Sequence, residues 1–174
     1  MALRHAGANM RQLFLLLAVL TILAVPADAA DPAGEWRVED GEAHVRTAVC
    51  GGRLWGVVSW ERTAGTDEKN PAPSLRSRPT LGLPVLLGLT SVTANQWAGS
   101  IYNAENGKTY QATVTLKQVE ELEVEGCVLR GWVCSSETWT RVRPAPSSVG
   151  SAPGVDLCLR LGVGAGLPHQ GAPK

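Results

Sequence analysis

Alternation of apolar and polar residues with a period of two is the feature that most constrains the fold of this chain. Between Tyr110 and Leu116 every second residue is apolar, and the residues between them are Gln or Thr. The segment from Leu122 to Val128 alternates in the same way and places Cys127 on the face of the glutamates. A strand with one buried face has this pattern, since successive side chains point to opposite sides of a sheet. We therefore predict antiparallel β-structure rather than long helices.

Turn dipeptides separate the strand-like segments. They are Asp40-Gly41, Gly51-Gly52 and Asn106-Gly107. Asn-Gly is the strongest hairpin signal among them. Residues 54–60 are almost continuously apolar and indicate a strand that is covered on both faces. Short strands joined by hairpins predict an all-β sandwich or barrel.

Residues 61–95 interrupt this pattern with prolines at positions 71, 73, 79 and 84. Connections of this length are usually functional or disordered. The segment also carries Leu and Val residues between 81 and 89 that can anchor it. We expect a long, ordered excursion across the barrel.

The N-terminus has the three regions of a secretory signal peptide. Two arginines precede an apolar run at 13–25, and small residues follow at 27 and 29. We predict that residues 1–29 are cleaved after Ala29, which places the mature chain in the periplasm or outside the cell. A membrane anchor is the alternative, but thirteen apolar residues span about 20 Å of the roughly 30 Å hydrocarbon core.

The mature chain divides into a domain at 30–143 and a tail at 144–174. The leader holds two of the 16 basic and one of the 16 acidic residues, which leaves 14 and 15. This balance argues against a nucleic-acid partner, and no second apolar span predicts a membrane segment after cleavage. The tail is rich in Pro and Gly and lacks aromatic residues, so we predict disorder there. Whether the stretch 155–163 docks against the domain is left open.

The four cysteines, at positions 50, 127, 134 and 158, can pair in three ways in an oxidising compartment. A two-residue turn at Arg130-Gly131 would place Cys127 directly opposite Cys134, within disulfide range. Arg130 suits such a turn poorly, so a longer loop in the same register is the alternative. Cys50 and Cys158 either pair with each other or stay unpaired.

Four segments resemble the exported bacterial family called domain of unknown function 2147. They are GEWRVEDGEAHVRTAVCGG (34–52), KNPAPSLRSRPTLGLPVL (69–86), WAGSIYNAENGKTYQATVTL (97–116) and EVEGCVLRGWVCSSETWTRV (123–142). The resemblance covers nearly all of residues 34–142. It implies a small lipocalin-like barrel of about eight antiparallel strands with no established activity.

The resemblance also assigns structural roles. It implies that Trp36 closes one end of the barrel and that Arg141, from the last strand, packs over its ring as a cation–π pair. The family usually has a second cysteine shortly after Cys50, where this chain has Leu-Trp-Gly at 54–56, so that local disulfide is lost. The family's Asp-Pro is replaced at 103–104 by Asn-Ala, which should alter the turn and leave the hairpin intact.

Catalysis has little support in the sequence. The mature chain holds two histidines, His44 in a strand and His169 in the tail, and no nucleophile elbow, phosphate loop or metal-ligand spacing. The glutamates at 120–125 are interpreted as a solvated strand face rather than an acid–base pair. We therefore predict no catalytic residue, metal or cofactor. The six Trp are interpreted as the core of a barrel without Phe, with sugar stacking as the alternative.

One polar cluster suggests binding. Lys69, Asn70, Arg76 and Arg78 lie within ten residues on a segment stiffened by prolines. Two arginines on such a segment, if it is extended, can bind one carboxylate or phosphate. The alternative is that they pin the loop, either by pairing with Asp67, Glu68 and the outer-face glutamates or by hydrogen bonds to carbonyls. We predict a noncatalytic periplasmic module for a small apolar or amphipathic ligand, with Asn70, Arg76 and Arg78 as candidate binding residues for an anionic one. A structural or interaction role in the envelope is the second hypothesis, and an enzyme acting on an envelope component is the third.

Overall fold

The computed structural model describes residues 31–143 and 153–163 of the chain, so the predicted signal peptide lies outside the described residues. Within these ranges no helix is long and apolar enough to cross a bilayer. In chain order the elements are β1 (Gly34–Arg37), β2 (Ala43–Cys50), β3 (Arg53–Glu61), β4 (Pro84–Thr93), β5 (Gln96–Asn103), β6 (Lys108–Gln118), β7 (Glu121–Val128), β8 (Val133–Arg141) and the helix α1 (Pro153–Arg160).

The eight strands form a closed antiparallel barrel. Each strand pairs with the next one along the chain, and β1 also pairs with β8 through Trp36 opposite Arg141. The prediction of an eight-stranded antiparallel barrel is confirmed. Closure leaves no unpaired sheet edge.

The connections define two ends of the barrel. We call closed end the one where β1 begins, β8 ends and the turns β2–β3, β4–β5 and β6–β7 lie; the opposite end is the open end. The three predicted turn dipeptides each join two strands, and Gly51 and Gly52 both have positive φ, 58° and 76°. The β5–β6 hairpin is intact despite Asn-Ala at 103–104.

Apolar side chains fill the interior towards the closed end. This core includes Trp36, Val45, Leu54, Leu86, Leu89, Trp97, Val114, Leu116, Leu122, Val124 and Trp139. On β6 and β7 the buried positions have the predicted parity, since alternate residues face the interior. The interpretation of the tryptophans as core residues is confirmed for three of the six: Trp36, Trp97 and Trp139. Trp55 is half-buried, whereas Trp60 and Trp132 are exposed.

The predicted excursion at 61–95 is too long, because its second part is strand β4. Leu86 and Leu89 are three residues apart, yet both pack in the core. The register against β3 shifts between them, and Gly88 adopts a φ of 63° there. This bulge breaks the period of two, which is why the sequence pattern did not show the strand. The connection between β3 and β4 is ordered and spans 62–83.

Part of the tail is a docked helix, so the prediction of disorder is wrong for residues 153–163. A disulfide joins Cys158 of α1 to Cys50 of β2, and Leu157 is buried against the outer face of the barrel. Trp55 and Val57 pack in the same cluster, which gives β3 a cover on its outer face there. The alternative in which 155–163 docks is correct. Residues 144–152 and 164–174 lie outside the described residues.

Candidate functional site

Trp36 and Arg141 lie together at the closed end. The Arg141 guanidinium carbon is 4.1 Å from the centroid of the fully buried Trp36 ring. The guanidinium also donates to the carbonyls of Asp31, Ala33 and Val119 at 2.6–2.9 Å, which ties the incoming chain across this end. The pair has the placement that the resemblance implied. It makes this end a packed structure rather than an entrance.

The open end contains a cavity of about 400 Å³ inside the barrel. Its lining comes from strands β5–β8 and their ends: Ile101, Asn103, Tyr110, Val124, Gly126, Val128, Val133, Cys134, Ser135, Ser136 and Glu137. The core stops short of this region because position 126 is a glycine and position 135 a serine, so the wall between β7 and β8 carries little side-chain volume. Cavities of 300–1,000 Å³ with apolar walls and a few polar groups are typical of small-molecule sites.

Glu137 is the acidic residue in the lining of this cavity. It lies opposite Val124 on the strand pair and two residues above the buried Trp139, at the depth where the cavity meets the core. The Trp139 indole donates a hydrogen bond of 2.7 Å to Glu137 Oε1. No Lys, Arg or His is among the lining residues within the described part of the chain.

Several effects act on the pKa of Glu137. Burial raises it most, and the carboxylates of Asp40, Glu39 and Glu105 raise it further, whereas the hydrogen bond from Trp139 lowers it. The net effect is a pKa above the ordinary value for glutamate. Each of these three carboxylates lies on an open-end turn, β1–β2 or β5–β6. The base of the cavity is therefore an environment that disfavours further negative charge.

The β7–β8 hairpin forms part of the rim. Cys127 and Cys134 face each other in the predicted register and form a disulfide. The connection includes a 3-10 turn at Leu129–Gly131, so the longer-loop alternative is correct and the two-residue turn is wrong. The hairpin tip exposes 71% of Leu129 and 87% of Trp132. The rim thus presents apolar surface held by a covalent link.

A buried polar network fixes the β3–β4 connection to the outside of β5. Asp67 is fully buried, accepts a hydrogen bond of 2.6 Å from the Tyr102 hydroxyl and another of 2.7 Å from Asn70 Nδ2. Arg78 donates to Asp67 Oδ2 from Nε and Nη2 at 2.9 and 2.8 Å. Burial alone would raise the pKa of Asp67, but these hydrogen bonds and the Arg78 charge lower it. The backbone of Gly107 lies so close to the Lys69 carbonyl that no Cβ would fit.

The three candidate binding residues of this loop come together, but with internal partners. Arg76 Nε donates to the Asn70 carbonyl at 2.8 Å, and Arg78 binds Asp67. The segment is not extended, since Pro73–Leu75 is a 3-10 helix that ends at Arg76. This geometry is that of the pinning alternative. Asn70, Arg76 and Arg78 are absent from the cavity lining, and binding of an anion by them stays a prediction.

An outer-face cluster resembles a catalytic group in composition only. Ser59 Oγ hydrogen-bonds to Glu35 and to the His44 carbonyl, and His44 Nδ1 lies 3.9 Å from Glu35. No hydrogen bond links the hydroxyl to the imidazole in the described residues, so this is no nucleophile–base pair. Glu125, Cys127 and Cys134 also approach one another, but both sulfurs are oxidised and are not free thiolate ligands.

Sequence reasoning did not single out Glu137 or Tyr102, and it named Asp67 only as a possible partner of the loop arginines, a pairing that Arg78 makes. The signal for Glu137 was available, because it shares parity with Val133 and Trp139 and is therefore an acidic residue at an inward position. Nothing local signalled the complete burial of Asp67. Its partner Tyr102 is 35 residues away along the chain.

Comparison with known proteins agrees with this architecture. Protein HP1028 from the human pathogen Helicobacter pylori, described as belonging to the lipocalin family, superposes with a TM-score of 0.60 at 24% identity, over 66% of this chain and 84% of that one. No curated protein matches the chain. The model of a family described as uncharacterized proteins conserved in bacteria, DUF2147, matches residues 34–141. The eight-stranded barrel and its similarity to this solved structure show that the domain has a lipocalin-like fold. The match over residues 34–141 shows that the chain belongs to the DUF2147 family.

Proposed function

We propose that this protein is a noncatalytic module that binds one small amphipathic molecule in the cavity at the open end of the barrel. The observation that carries the proposal is the cavity itself, about 400 Å³ with both apolar and uncharged polar residues in its walls and one carboxyl group at its base. Barrels of about eight strands are either filled by their own side chains or hold one small ligand. In this barrel the packed core accounts for the closed end and leaves the open end unfilled.

The surroundings of the cavity support a preformed site. The strand walls are hydrogen-bonded on all sides, and the Cys127–Cys134 disulfide fixes the rim hairpin. A site held by rigid elements loses little conformational entropy on binding. This favours a ligand that enters an existing space rather than one that orders a loop.

An exported location is part of the proposal. Both disulfides are of the kind that persists in oxidising compartments. Sequencing the N-terminus of the protein recovered from the periplasm or medium tests this, and the expected first residue is Ala30. Recovery of chains that all begin at Met1 would refute processing at this position.

Native mass spectrometry of protein purified from the periplasm of its own cell tests ligand binding directly. We expect a bound small molecule that is lost in a Gly126→Leu variant. A Cβ at position 126 would lie 3.8 Å from Ile101, so a larger side chain extends into the cavity without initial overlap. Thr113→Leu, on the outer side of β6, is the matched control and should retain the molecule. Equal recovery from both variants would place the molecule elsewhere and refute the cavity as its site.

The exposed rim favours a second candidate, an interaction component of the envelope. Leu129 and Trp132 offer apolar surface that a partner could cover. An interaction component would still bind its partner in the Gly126→Leu variant and would lose that binding when Leu129 and Trp132 are replaced by Ser.

A further inference from the structure

We propose that the cavity selects amphipathic molecules whose polar head is a protonated amine, with the Glu137 carboxylate as its partner. This inference deepens the proposed function and rests on it. The chemistry inside the cavity distinguishes three classes of head group: cationic, neutral and anionic.

Position sets the orientation of the ligand. Along β8 the inward residues descend from Val133 at the rim through Ser135 to Glu137 and then to the buried Trp139. Val128 lines the cavity opposite Val133, at the same height. The acidic group is therefore deep, and the wall above it is mixed: Val128 and Val133 are apolar, whereas Ser135 and Asn103 are polar and uncharged. An amphipathic molecule satisfies both regions when its head enters first and its tail lies against the rim.

The hydrogen bonds of Glu137 leave the carboxylate incompletely satisfied. Trp139 donates to Oε1, and no other hydrogen bond or ion pair reaches this side chain from the described residues. An ionised carboxylate accepts bonds at both oxygens. An ammonium group supplies three N–H donors and a compensating positive charge, which makes the hydrogen bond stronger than one from a neutral donor.

The surrounding charges discriminate against an anionic head. No basic side chain of the described chain lines the cavity, and the carboxylates of Glu39, Asp40 and Glu105 act on Glu137 from the open-end turns. A fatty-acid carboxylate placed beside Glu137 would meet like charge in a partly buried site. A neutral alcohol meets no repulsion but gains no ion pair. The expected order of affinity is amine, then alcohol, then carboxylate.

Isothermal titration calorimetry with three ten-carbon probes tests this order at pH 7. Decylamine is protonated at this pH, since ordinary amines have a pKa near 10. We expect decylamine to bind wild-type protein at least about tenfold more tightly than decanol, the gain of one charged hydrogen bond. Decanoate should bind more weakly than decanol. The comparison needs only wild-type protein, so it stands even where a variant fails to fold.

Glu137→Gln then assigns the selectivity to one side chain. The variant keeps the size of the residue and a carbonyl oxygen that can accept from Trp139. We expect decylamine affinity to fall about tenfold or more while decanol affinity is unchanged. Glu123→Gln is the matched control: this residue lies on the outer side of β7, pairs with Lys117 and should have no effect on either probe.

The outcomes separate the two proposals. Decanol and decylamine binding with equal affinity, or an unchanged amine preference in Glu137→Gln, would overturn the inference and leave the proposed function standing. Tighter binding of decanoate than of decylamine would also overturn it. If none of the three probes binds and no molecule co-purifies from the periplasm, the proposed function itself fails, and the inference with it.

Discussion

The two disulfides should differ in their contribution to stability because they close loops of very different length. Cys50–Cys158 spans 108 residues and links α1 to β2, whereas Cys127–Cys134 spans 7 within one hairpin. The perturbation is replacement of each pair by Ala. Alanine is preferred to serine because Cys50 and Cys158 are buried, and a serine hydroxyl would have to be buried there too.

The expected magnitudes follow from loop-closure entropy. A cross-link over about 108 residues removes unfolded-state entropy worth about 4.8 kcal/mol at 25 °C, and one over 7 residues about 2.4 kcal/mol. The long link also holds Leu157 of α1 against the outer face of the barrel. Without it, only noncovalent contacts such as those of Leu157 hold α1 against the barrel, and undocking would add a loss of buried apolar surface.

Urea unfolding under non-reducing conditions measures both effects, with the midpoint giving stability and the slope giving exposed surface. We expect the Cys50→Ala/Cys158→Ala variant to lose about twice as much free energy of unfolding as the Cys127→Ala/Cys134→Ala variant. Hydrogen exchange of the α1 amides should be faster in the long-link variant than in the short-link variant. Equal midpoints for the two variants, or a smaller loss for the long link, would refute the loop-length reasoning.

Further perturbations test the closed end, the loop pins and the cavity base. Trp36→Ala should cost about 3–5 kcal/mol in chemical denaturation and Arg141→Lys less, because Lys cannot place a planar guanidinium over the ring. Arg78→Gln should cost about 2 kcal/mol, moderated by its partial exposure, because it leaves the buried Asp67 carboxylate without a cationic partner. Arg76→Gln should cost under about 1 kcal/mol, because it removes only a hydrogen bond to a carbonyl. Equal losses would contradict the pinning geometry. The pKa of Glu137 is higher in the folded state, so its contribution to stability is full below about pH 4.5 and is lost as the pH rises through the folded-state pKa. Over that window wild-type protein should lose stability relative to Glu137→Gln. Parallel pH profiles of melting temperature for the two proteins would show that burial does not act on this group.

Local sequence patterns were sufficient for most of the barrel. The alternation in β6 and β7 predicted which side chains are buried, because a strand's period of two is fixed by its backbone. Gly-containing dipeptides predicted three turns, since those turns need positive φ. The same register predicted the Cys127–Cys134 disulfide, which depends only on residues within one hairpin. Strand β4 was missed where a bulge at Gly88 interrupts the pattern.

The candidate site was less accessible to sequence reasoning. The arginines of the β3–β4 connection were noticed because they cluster in sequence. In the structure Arg78 binds Asp67 and Arg76 binds the Asn70 carbonyl, and both contacts hold the loop. The sequence contains many acidic residues, and only the alternation along β8 distinguishes the inward position of Glu137 from the outward positions of other carboxylates. Its importance depends on what lines the cavity across the barrel.

Most of the strands, the hairpins and the pairing of neighbouring strands were predictable from the sequence, because they follow from interactions between residues close along the chain. Only the folded barrel fixes the partner of Cys50, the docking of α1 and the convergence of Ile101, Tyr110 and Glu137 on one cavity. Closing the sheet brings β1 against β8 and turns one face of every strand towards a shared interior. The volume left in that interior depends on all the inward side chains at once, and no single segment records it.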